Sequence, residues 1–510
     1  MRVAPRAVAL IGSWLAGWGG CARAPVRPPR AARPNVLFII SDDLRAELGS
    51  YGGAALTPRL DRLAREGVRF DHAYCQYPLC NPSRTSMLTG RYPTTTGVYG
   101  NRQWFGTEHP EWLSLPRYFR GNGYLTVRIG KVFHGGIDDT EAWSEGGEAR
   151  QFEEQPRPAP RTPMSMAEEA DRLERVAGQD RARAPESDRW QAVETGAESL
   201  GDAVVADRAI AALREHGRGS RPLFLACGFS KPHSPLVAPR RFFDLYGPET
   251  ILLPPDFAPR PTVPPGFPAG SIRPLNADLF IRRDASGDEA RQMIRAYRAC
   301  VSYVDWNAGR VLDELDRLGL GEDTIVVFWG DHGYQLGEKG KWSKAGSLWE
   351  QGTRVPLIIR WPRARGNGRA SPRIVQSIDV YPTLVELCGL APPAGLEGRS
   401  LGPLLAHPEA PWPHPAFTVW SERGSWLSGV AVRTERWRYA EFYGLGAGAM
   451  LLDPAADPHE MTNVADRSAN ATVVAELSAE VRRFAAGKTE ARGVHRPDRA
   501  NRQKRLAHNE

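Results

Sequence analysis

One run concentrates reactive side chains in a single short stretch: Cys80-Asn81-Pro82-Ser83-Arg84-Thr85-Ser86-Met87-Leu88-Thr89-Gly90-Arg91. Pro82 suits the first turn of a helix, where a missing N–H is harmless, and Gly90 suits a left-handed stop. The pattern predicts a short helix with Cys80 at its mouth. Backbone N–H groups and the positive end of the helix dipole would face an anion there. With Cys80, Arg84 and Arg91 converging on that volume, the place suits a tetrahedral oxyanion beside a sulfur nucleophile. A lone cysteine is more often a small buried hydrophobe, so the run must be weighed with what the rest of the chain brings to it.

Charged side chains of matching chemistry follow four hydrophobic segments. Residues 35–40 run into Ser41-Asp42-Asp43, and 125–132 contain Lys131, with His134 just beyond. Residues 222–228 lead to Lys231-Pro232-His233, and 324–329 to Asp331-His332. Asp42, Asp43 and Asp331 would repel one another unless a cation sat between them. A carboxylate set suits a hard divalent ion, Ca²⁺ or Mg²⁺, and lacks the His/Cys character of a zinc site. Each residue alone has a plainer reading. Asp-Asp after a strand caps turns, an isolated His134 fits a core, and Lys131 or Lys344 fits a surface. The joint placement argues for one shared site, because ligands of open α/β sheets bind beyond the carboxyl ends of the strands.

Those four segments and a fifth, 355–361, are continuously apolar, as buried parallel strands are. Helical patterns at 58–66, 202–215 and 289–318 alternate with them. The expected fold is α/β, with a mostly parallel central sheet flanked by helices. Residues 141–188 are polar and proline-containing and read as an insertion. Prolines cluster at 407–414, and beyond them short strands at 416–420, 429–434 and 437–442, turns at 453–458 and a helix at 473–486 predict a smaller C-terminal α+β subdomain. The expected organisation is a catalytic domain at 35–410, the subdomain at 411–491 and a basic tail at 492–510.

The 510 residues, 41% hydrophobic and 25% charged, describe an ordinary globular chain with a net charge of +7. No basic stripe interleaved with aromatics points to nucleic acid, and the mild excess favours an anionic substrate. The six cysteines form neither a disulfide framework nor a Cys-x-x-Cys metal pair. Arg2 and Arg6 followed by a short apolar segment read as a signal peptide over 1–24, with a spacer at 25–34, and predict export to the periplasm or the outside. Cys21 offers a lipid anchor as the alternative to cleavage. No segment is long and apolar enough to be a transmembrane helix.

The Cys-x-Pro-Ser-Arg and Leu-Thr-Gly-Arg pieces of the first run resemble the modification sequence of type I, formylglycine-dependent sulfatases of the alkaline phosphatase superfamily. Asp42-Asp43-Leu44-Arg45, Gly130-Lys131-Val132-Phe133-His134, Lys231-Pro232-His233 and Gly330-Asp331-His332-Gly333 through Lys344 extend the resemblance. So do Ser377 to Leu384, and Leu452-Asp453 through Asp457-Pro458-His459-Glu460 to Thr462-Asn463. The pattern is most similar to the iduronate-2-sulfatase branch and spans residues 35–466, leaving out 141–188 and the tail. It implies an alkaline phosphatase-like fold and a sulfuric ester hydrolase acting on a sulfated sugar or polysaccharide. Cys80 would be oxidised to formylglycine by a formylglycine-generating enzyme. Asp42, Asp43, Asp331, His332 and the modified Cys80 would bind Ca²⁺, with Mg²⁺ the alternative; His332 stands where many other sulfatases carry asparagine. Arg84 would hold the formylglycine, while Lys131, His134, His233 and Lys344 would surround the sulfate and the leaving oxygen. On that resemblance, one hydroxyl of the hydrated aldehyde would attack sulfur and displace the sugar alcohol, and deprotonating the other would expel sulfate and restore the aldehyde. Two alternatives stay open from the residues: a phosphonate or phosphate ester hydrolase using the same site, and a non-catalytic glycan-binding homologue.

Overall fold

The first apolar run forms β1 (Asn35–Asp42), buried along its whole length. Its side chains alternate between two cores. Val36, Phe38 and Ile40 enter one, and Leu37 and Ile39 enter the other. A strand with two buried faces must be apolar throughout, which is why β1 shows no polar alternation. The computed structural model describes Met1 and residues 33–152, 188–194, 200–422 and 427–489. The expected signal peptide beyond Met1, the spacer up to residue 32, the stretch 153–187 and the basic tail lie outside the described residues.

The other strands are β2 (Val68–Tyr74), β3 (Leu125–Gly130), β4 (Trp190–Val193), β5 (Leu223–Pro232), β6 (Leu236–Pro239), β7 (Thr324–Gly330), β8 (Arg354–Val355), β9 (Leu357–Arg360) and β10 (Ala370–Gln376). The main sheet runs β10-β2-β9-β7-β1-β5-β3, with β8 paired to β2. β1 sits between β5 and β7, parallel to both, and β3 is parallel to β5. The sheet is therefore mostly parallel, with one correction. The segment 355–361 splits at Pro356, which has no N–H to donate, and β9 runs antiparallel to β7. Apolar content dictates that this segment is buried but not which way it runs.

Helices cover both faces. α1 (Pro58–Glu66), α3 (Gly201–His216) and the long α4 (Gly287–Arg317) pack on the Leu37/Ile39 side. α2 (Cys80–Thr89) and α5 (Val380–Leu387) pack on the Phe38 side. α4 opens with a capping box, the Ser286 Oγ accepting the Glu289 N–H (3.2 Å) and the Glu289 Oε2 accepting the Ser286 N–H (2.9 Å). Midway along it, Asp305 accepts the first free N–H groups of α1, from Leu60 (2.7 Å) and Arg59 (3.1 Å). Residues 142–146, expected within an insertion, instead pack against β3. Ala142 and Trp143 are buried, Ser144 donates its N–H to the Thr126 carbonyl (2.8 Å), and the Arg128 N–H reaches Glu145 (3.0 Å). The apolar Ala-Trp pair is the anchor that the polar composition around it conceals.

After the proline cluster comes an antiparallel sheet, β11 (Ala416–Trp420), β12 (Gly429–Arg433), β13 (Arg438–Phe442) and β14 (Gly448–Leu452), backed by α6 (Ala471–Thr489). Its core is continuous with Tyr77, Leu348, Trp349 and Ile378 of the main domain. Buried Arg438 bolts the two parts together, donating to Glu460 (2.7 Å), to the Thr353 hydroxyl (3.2 Å) and to Glu350. Among the described residues no helix is long and apolar enough to cross a membrane.

Candidate active site

The carboxyl ends of β1 and β7 lie side by side, Ser41 level with Gly330, which sets Asp42 and Asp43 beside Asp331. Asp43 takes a left-handed conformation, φ 61°. Two contacts hold it there. Its N–H donates to Asp331 Oδ1 (3.0 Å), and its carbonyl accepts the Tyr297 hydroxyl of α4 (2.7 Å). Tyr297 in turn accepts the Arg45 N–H (3.1 Å), so one phenol clamps the turn on both sides. The chain thereby sends both neighbouring carboxylates toward one point, which an extended backbone would not do.

Cys80 is the first residue of α2 and is buried. The helix ends at Gly90 in the left-handed conformation, φ 64°, as expected. The Cys80 Sγ lies 3.3 Å from His332 Nε2 and 3.9 Å from Asp43 Oδ1. Burial first, and the nearby Asp42 charge second, push the thiol well above the usual cysteine value. An unmodified Cys80 is therefore a neutral thiol and a poor nucleophile. Arg84, one turn along α2, is fully buried and donates to Asp331 Oδ2 (2.9 Å), Asp42 Oδ1 (3.0 Å) and the carbonyls of Val132 (3.0 Å) and Lys131. Arg91 does not join them. It lies past the far end of the helix, bonded to the Thr89 (2.8 Å) and Ala394 (3.0 Å) carbonyls and stacked over Trp112.

The two lysines reach the same carboxylates. Lys131 follows β3 and pairs with Asp42, while Lys344 pairs with Asp43 (2.8 Å) and Asp278 (3.4 Å). Lys131 can sit there because β5 carries a glycine opposite: a Cβ at Gly228 would lie 2.0 Å from the Lys131 carbonyl oxygen. Burial opposes the charge on Lys344, but Asp278 and Asp43 outweigh it and hold the pKa well above the ordinary lysine value. Burial likewise opposes ionisation of Asp42, and Lys131 and Arg84 outweigh it. His134 is pushed down to about 3, by burial and then by Lys131, and its Nδ1 is buried without a hydrogen-bond partner among the described residues. His233 is lowered by burial and by Lys344. The pocket thus combines charged lysines with neutral imidazoles.

The imidazole tautomers follow from the backbone. His332 Nδ1 meets the Gly333 carbonyl at 2.9 Å and His233 Nδ1 meets the Ser234 carbonyl at 2.6 Å. A carbonyl only accepts, so each Nδ1 carries a hydrogen and each Nε2 is the ring nitrogen turned away from that carbonyl. His332 Nε2 faces Asp43 Oδ1 (3.3 Å) and Asp331 Oδ2 (3.6 Å). Carboxylates and ring nitrogens converging on one point suit a cation between them. Ligand atoms of Asp42, Cys80, Asp331 and His332 all lie within 4.8 Å of one another, as do those of Asp42, Asp43, Cys80 and His233. The three carboxylates, Asp42, Asp43 and Asp331, are the oxygen donors that a hard divalent ion takes. Three aspartates already face three cations, Arg84, Lys131 and Lys344, so an added ion would make the pocket electropositive and ready for an anion.

A family model described as Sulfatase matches residues 34–390. The chain belongs to the sulfatase family. Its activity is the hydrolysis of sulfuric esters. A second model, N-sulphoglucosamine sulphohydrolase, C-terminal, matches residues 337–487. A sulfatase of Formosa agariphila is 34% identical over 449 residues, covering 85% of this chain and 83% of the relative. Iduronate 2-sulfatase of Homo sapiens is 32% identical over 409 residues, covering 70% of each. Among solved structures, a protein in complex with its substrate D-glucosamine-2-N,6-O-disulfate aligns with a TM-score of 0.68 at 22% identity, over 90% of this chain and 98% of that one. The phosphonate monoester hydrolase of Agrobacterium radiobacter also aligns at 0.68, at 23% identity over 91% and 100%. At that identity these two establish the shared fold of this sulfatase.

Of the residues expected at the site, Asp42, Asp43, Cys80, Arg84, Lys131, His134, His233, Asp331, His332 and Lys344 gather there and Arg91 does not. Three contributors were not anticipated. Tyr297 clamps Asp43 and Asp278 touches Lys344. Asp202, at the start of α3, accepts the Ser230 (2.8 Å) and Lys231 (2.9 Å) N–H groups and so anchors the turn that carries His233. The only advance signal for Asp202 is that aspartate favours the first turn of a helix. Trp342 is wholly buried against Phe280, and Arg45 pairs with Glu338 (2.6 Å) and Glu47 (2.9 Å).

Proposed function

We propose that this sulfatase removes a sulfate group from a sulfated carbohydrate containing a uronic acid, a 2-sulfated uronate as in its iduronate 2-sulfatase relatives, with algal sulfated polysaccharide as the neighbouring substrate class. The observation that carries the reading is the convergence of three aspartates, three cations and His332 on Cys80 at the mouth of α2. Asp42, Asp43, Asp331, His332 and residue 80 would hold a calcium ion, whose charge would neutralise sulfate oxygens. Cys80, oxidised to formylglycine by a generating enzyme, would supply a hydrated aldehyde as nucleophile. The chain's own side chains do the rest. Arg84 holds Asp42 and Asp331 in register and brings a fixed positive charge beside residue 80. Lys131 and Lys344, both protonated, stabilise charge building on the sulfate oxygens. His134 and His233, held neutral, accept a proton at a free ring nitrogen or pass one to the departing sugar oxygen. The chain acts after export, its N-terminal signal removed.

The test is the protein co-produced with a formylglycine-generating enzyme and checked by peptide mass spectrometry across Cys80. The expected result is an aldehyde at position 80 and turnover of a 2-O-sulfated uronate glycoside. An aldehyde-bearing sample inactive on sulfated glycans and on aryl sulfate overturns the reading. Faster turnover of an aryl phosphonate or phosphodiester makes it a phosphonate or phosphate ester hydrolase, and a plain cysteine from the native host makes it a binding protein.

A further inference from the structure

The loop at 98–104 is built into the site's own framework. The Asn81 side chain, next to Cys80, donates to the Gly100 (2.8 Å) and Gln103 (2.7 Å) carbonyls, and Asn101 Oδ1 accepts the Asn81 N–H (3.1 Å). Gln103 Oε1 closes the loop on the N–H groups of Tyr99 (2.8 Å) and Gly100 (2.9 Å). Arg102 stands between the two anchored residues, Asn101 and Gln103, and is exposed. Its guanidinium lies 5.3 Å over the Phe152 ring. It forms no ion pair with the described residues, although most arginines near the site do.

The same loop leans on the turn that carries His134. Trp104 meets Phe133 edge-on at 6.2 Å, and Phe152 lies so close to Gly136 that a Cβ there would sit 2.4 Å from its ring. Arg102 therefore belongs to a wall fixed at one end to the Cys80 helix and at the other to the His134 turn. An arginine fork held by stacking, without a carboxylate partner among the described residues, on a loop bonded to the residue next to Cys80, has an unspent bidentate donor.

We propose that Arg102 is a specificity-determining residue that binds a second anionic group of the sugar, a carboxylate or a further sulfate, while the first sulfate occupies the pocket at Cys80. The inference rests on the sulfated-carbohydrate reading above. It separates substrates by charge: a monoanionic ester uses the reaction centre alone, whereas a dianionic sugar also engages Arg102.

The test is steady-state kinetics of R102Q and R102K beside the parent enzyme on three substrates. These are 4-nitrophenyl sulfate, a 2-O-sulfated uronate glycoside and a disulfated neutral hexose. For R102Q, kcat/KM on a dianionic substrate is expected to fall about 10- to 100-fold further than on 4-nitrophenyl sulfate, carried by KM, the range of a charge-assisted hydrogen bond. R102K, which keeps the charge but not the fork, recovers part of it. A differential on the uronate alone assigns a carboxylate, and one on the disulfated hexose alone assigns a sulfate. Equal losses on all three substrates, or no loss on any, overturn the inference. If the parent turns over the aryl sulfate and neither sugar, the functional reading fails on its own. The sugars are then read as competitive inhibitors: a weaker Ki in R102Q upholds the Arg102 subsite and an unchanged Ki removes it.

Discussion

Replacing Tyr297 with phenylalanine deletes one oxygen and tests whether the left-handed turn at Asp43 is what prepares the site for a metal. The lost hydroxyl leaves the buried Asp43 carbonyl and the Arg45 N–H without their partner. An unpaired buried backbone group costs about 1–2 kcal/mol, so the metal-free protein should lose roughly 2–4 kcal/mol. Loss of an outer partner of a metal ligand weakens binding about 10- to 100-fold. If the proposed calcium ion binds only the folded state, at saturating calcium that weakening subtracts a further ~1.4–2.7 kcal/mol. The stability gap between parent and Y297F should therefore be wider in calcium than in chelator. Urea unfolding in both conditions gives the gaps, and calorimetric titration of chelator-stripped protein with Ca²⁺ gives the affinities directly. Equal gaps with equal affinities would mean that the ion ignores the posture of Asp43. A gap near zero in chelator would mean that the phenol does not hold the turn at all.

Arg438→Met strands Glu460, which is wholly buried, and should cost about 3–5 kcal/mol in urea unfolding; a loss below about 1 kcal/mol would refute its role as the bolt between the two sheets. Gly228→Ala places a Cβ 2.0 Å from the Lys131 carbonyl oxygen, a backbone atom that cannot swing away. It should cost about 2–4 kcal/mol and displace Lys131, so that sulfate-ester turnover falls even in the folded fraction; parent-like activity would show that the strand ends have slack. Lys341 is buried with the Leu275 carbonyl (3.0 Å) as its hydrogen-bond acceptor, and burial first, then Arg273, bring its pKa down to about 7. Between about pH 7 and 10.4 the folded protein then binds fewer protons here than the unfolded chain, so stability rises with pH through that window. K341M should be more stable than the parent at pH 6.5, by up to roughly 4 kcal/mol, and the advantage should shrink toward pH 10. A pH-independent difference in thermal melting would count against this account.

What could be read in the sequence divides along a physical line. The reactive residues were legible because the parallel sheet delivers the carboxyl ends of β1, β3, β5 and β7 to one edge. A charged residue directly after an apolar run therefore has few places to be except the shared cleft. β2 escaped the same reading because Arg69, Asp71 and His72 interrupt its apolar content, and β10 because it opens with Ala-Ser-Pro-Arg. Both lie toward one side of the sheet, where a continuous apolar run is not required. The direction of β9 was hidden because burial, which sequence reports, is blind to strand polarity. The supporting shell was hidden for a different reason. Tyr297 falls at helical spacing among Met293, Ala296 and Cys300, on the buried face of α4, and nothing local separates it from Tyr303 on the same face. Its function lies in one hydroxyl meeting a carbonyl at Asp43, far away in the chain. Asp278 sits in an irregular stretch where no period exists to flag it. The residues that do chemistry are marked by type and by strand end, while those that aim them are marked only by partners that folding supplies. The rim at Arg102 belongs to the second kind, since its neighbours Asn101 and Gln103 matter through bonds to Asn81 and to the loop itself. Substrate choice at this rim would be written in loop geometry beside the reaction centre, not in the reacting groups themselves. On this view the subset of sulfated sugars that this sulfatase accepts should change with substitutions at 98–104 that leave the Cys80 pocket untouched.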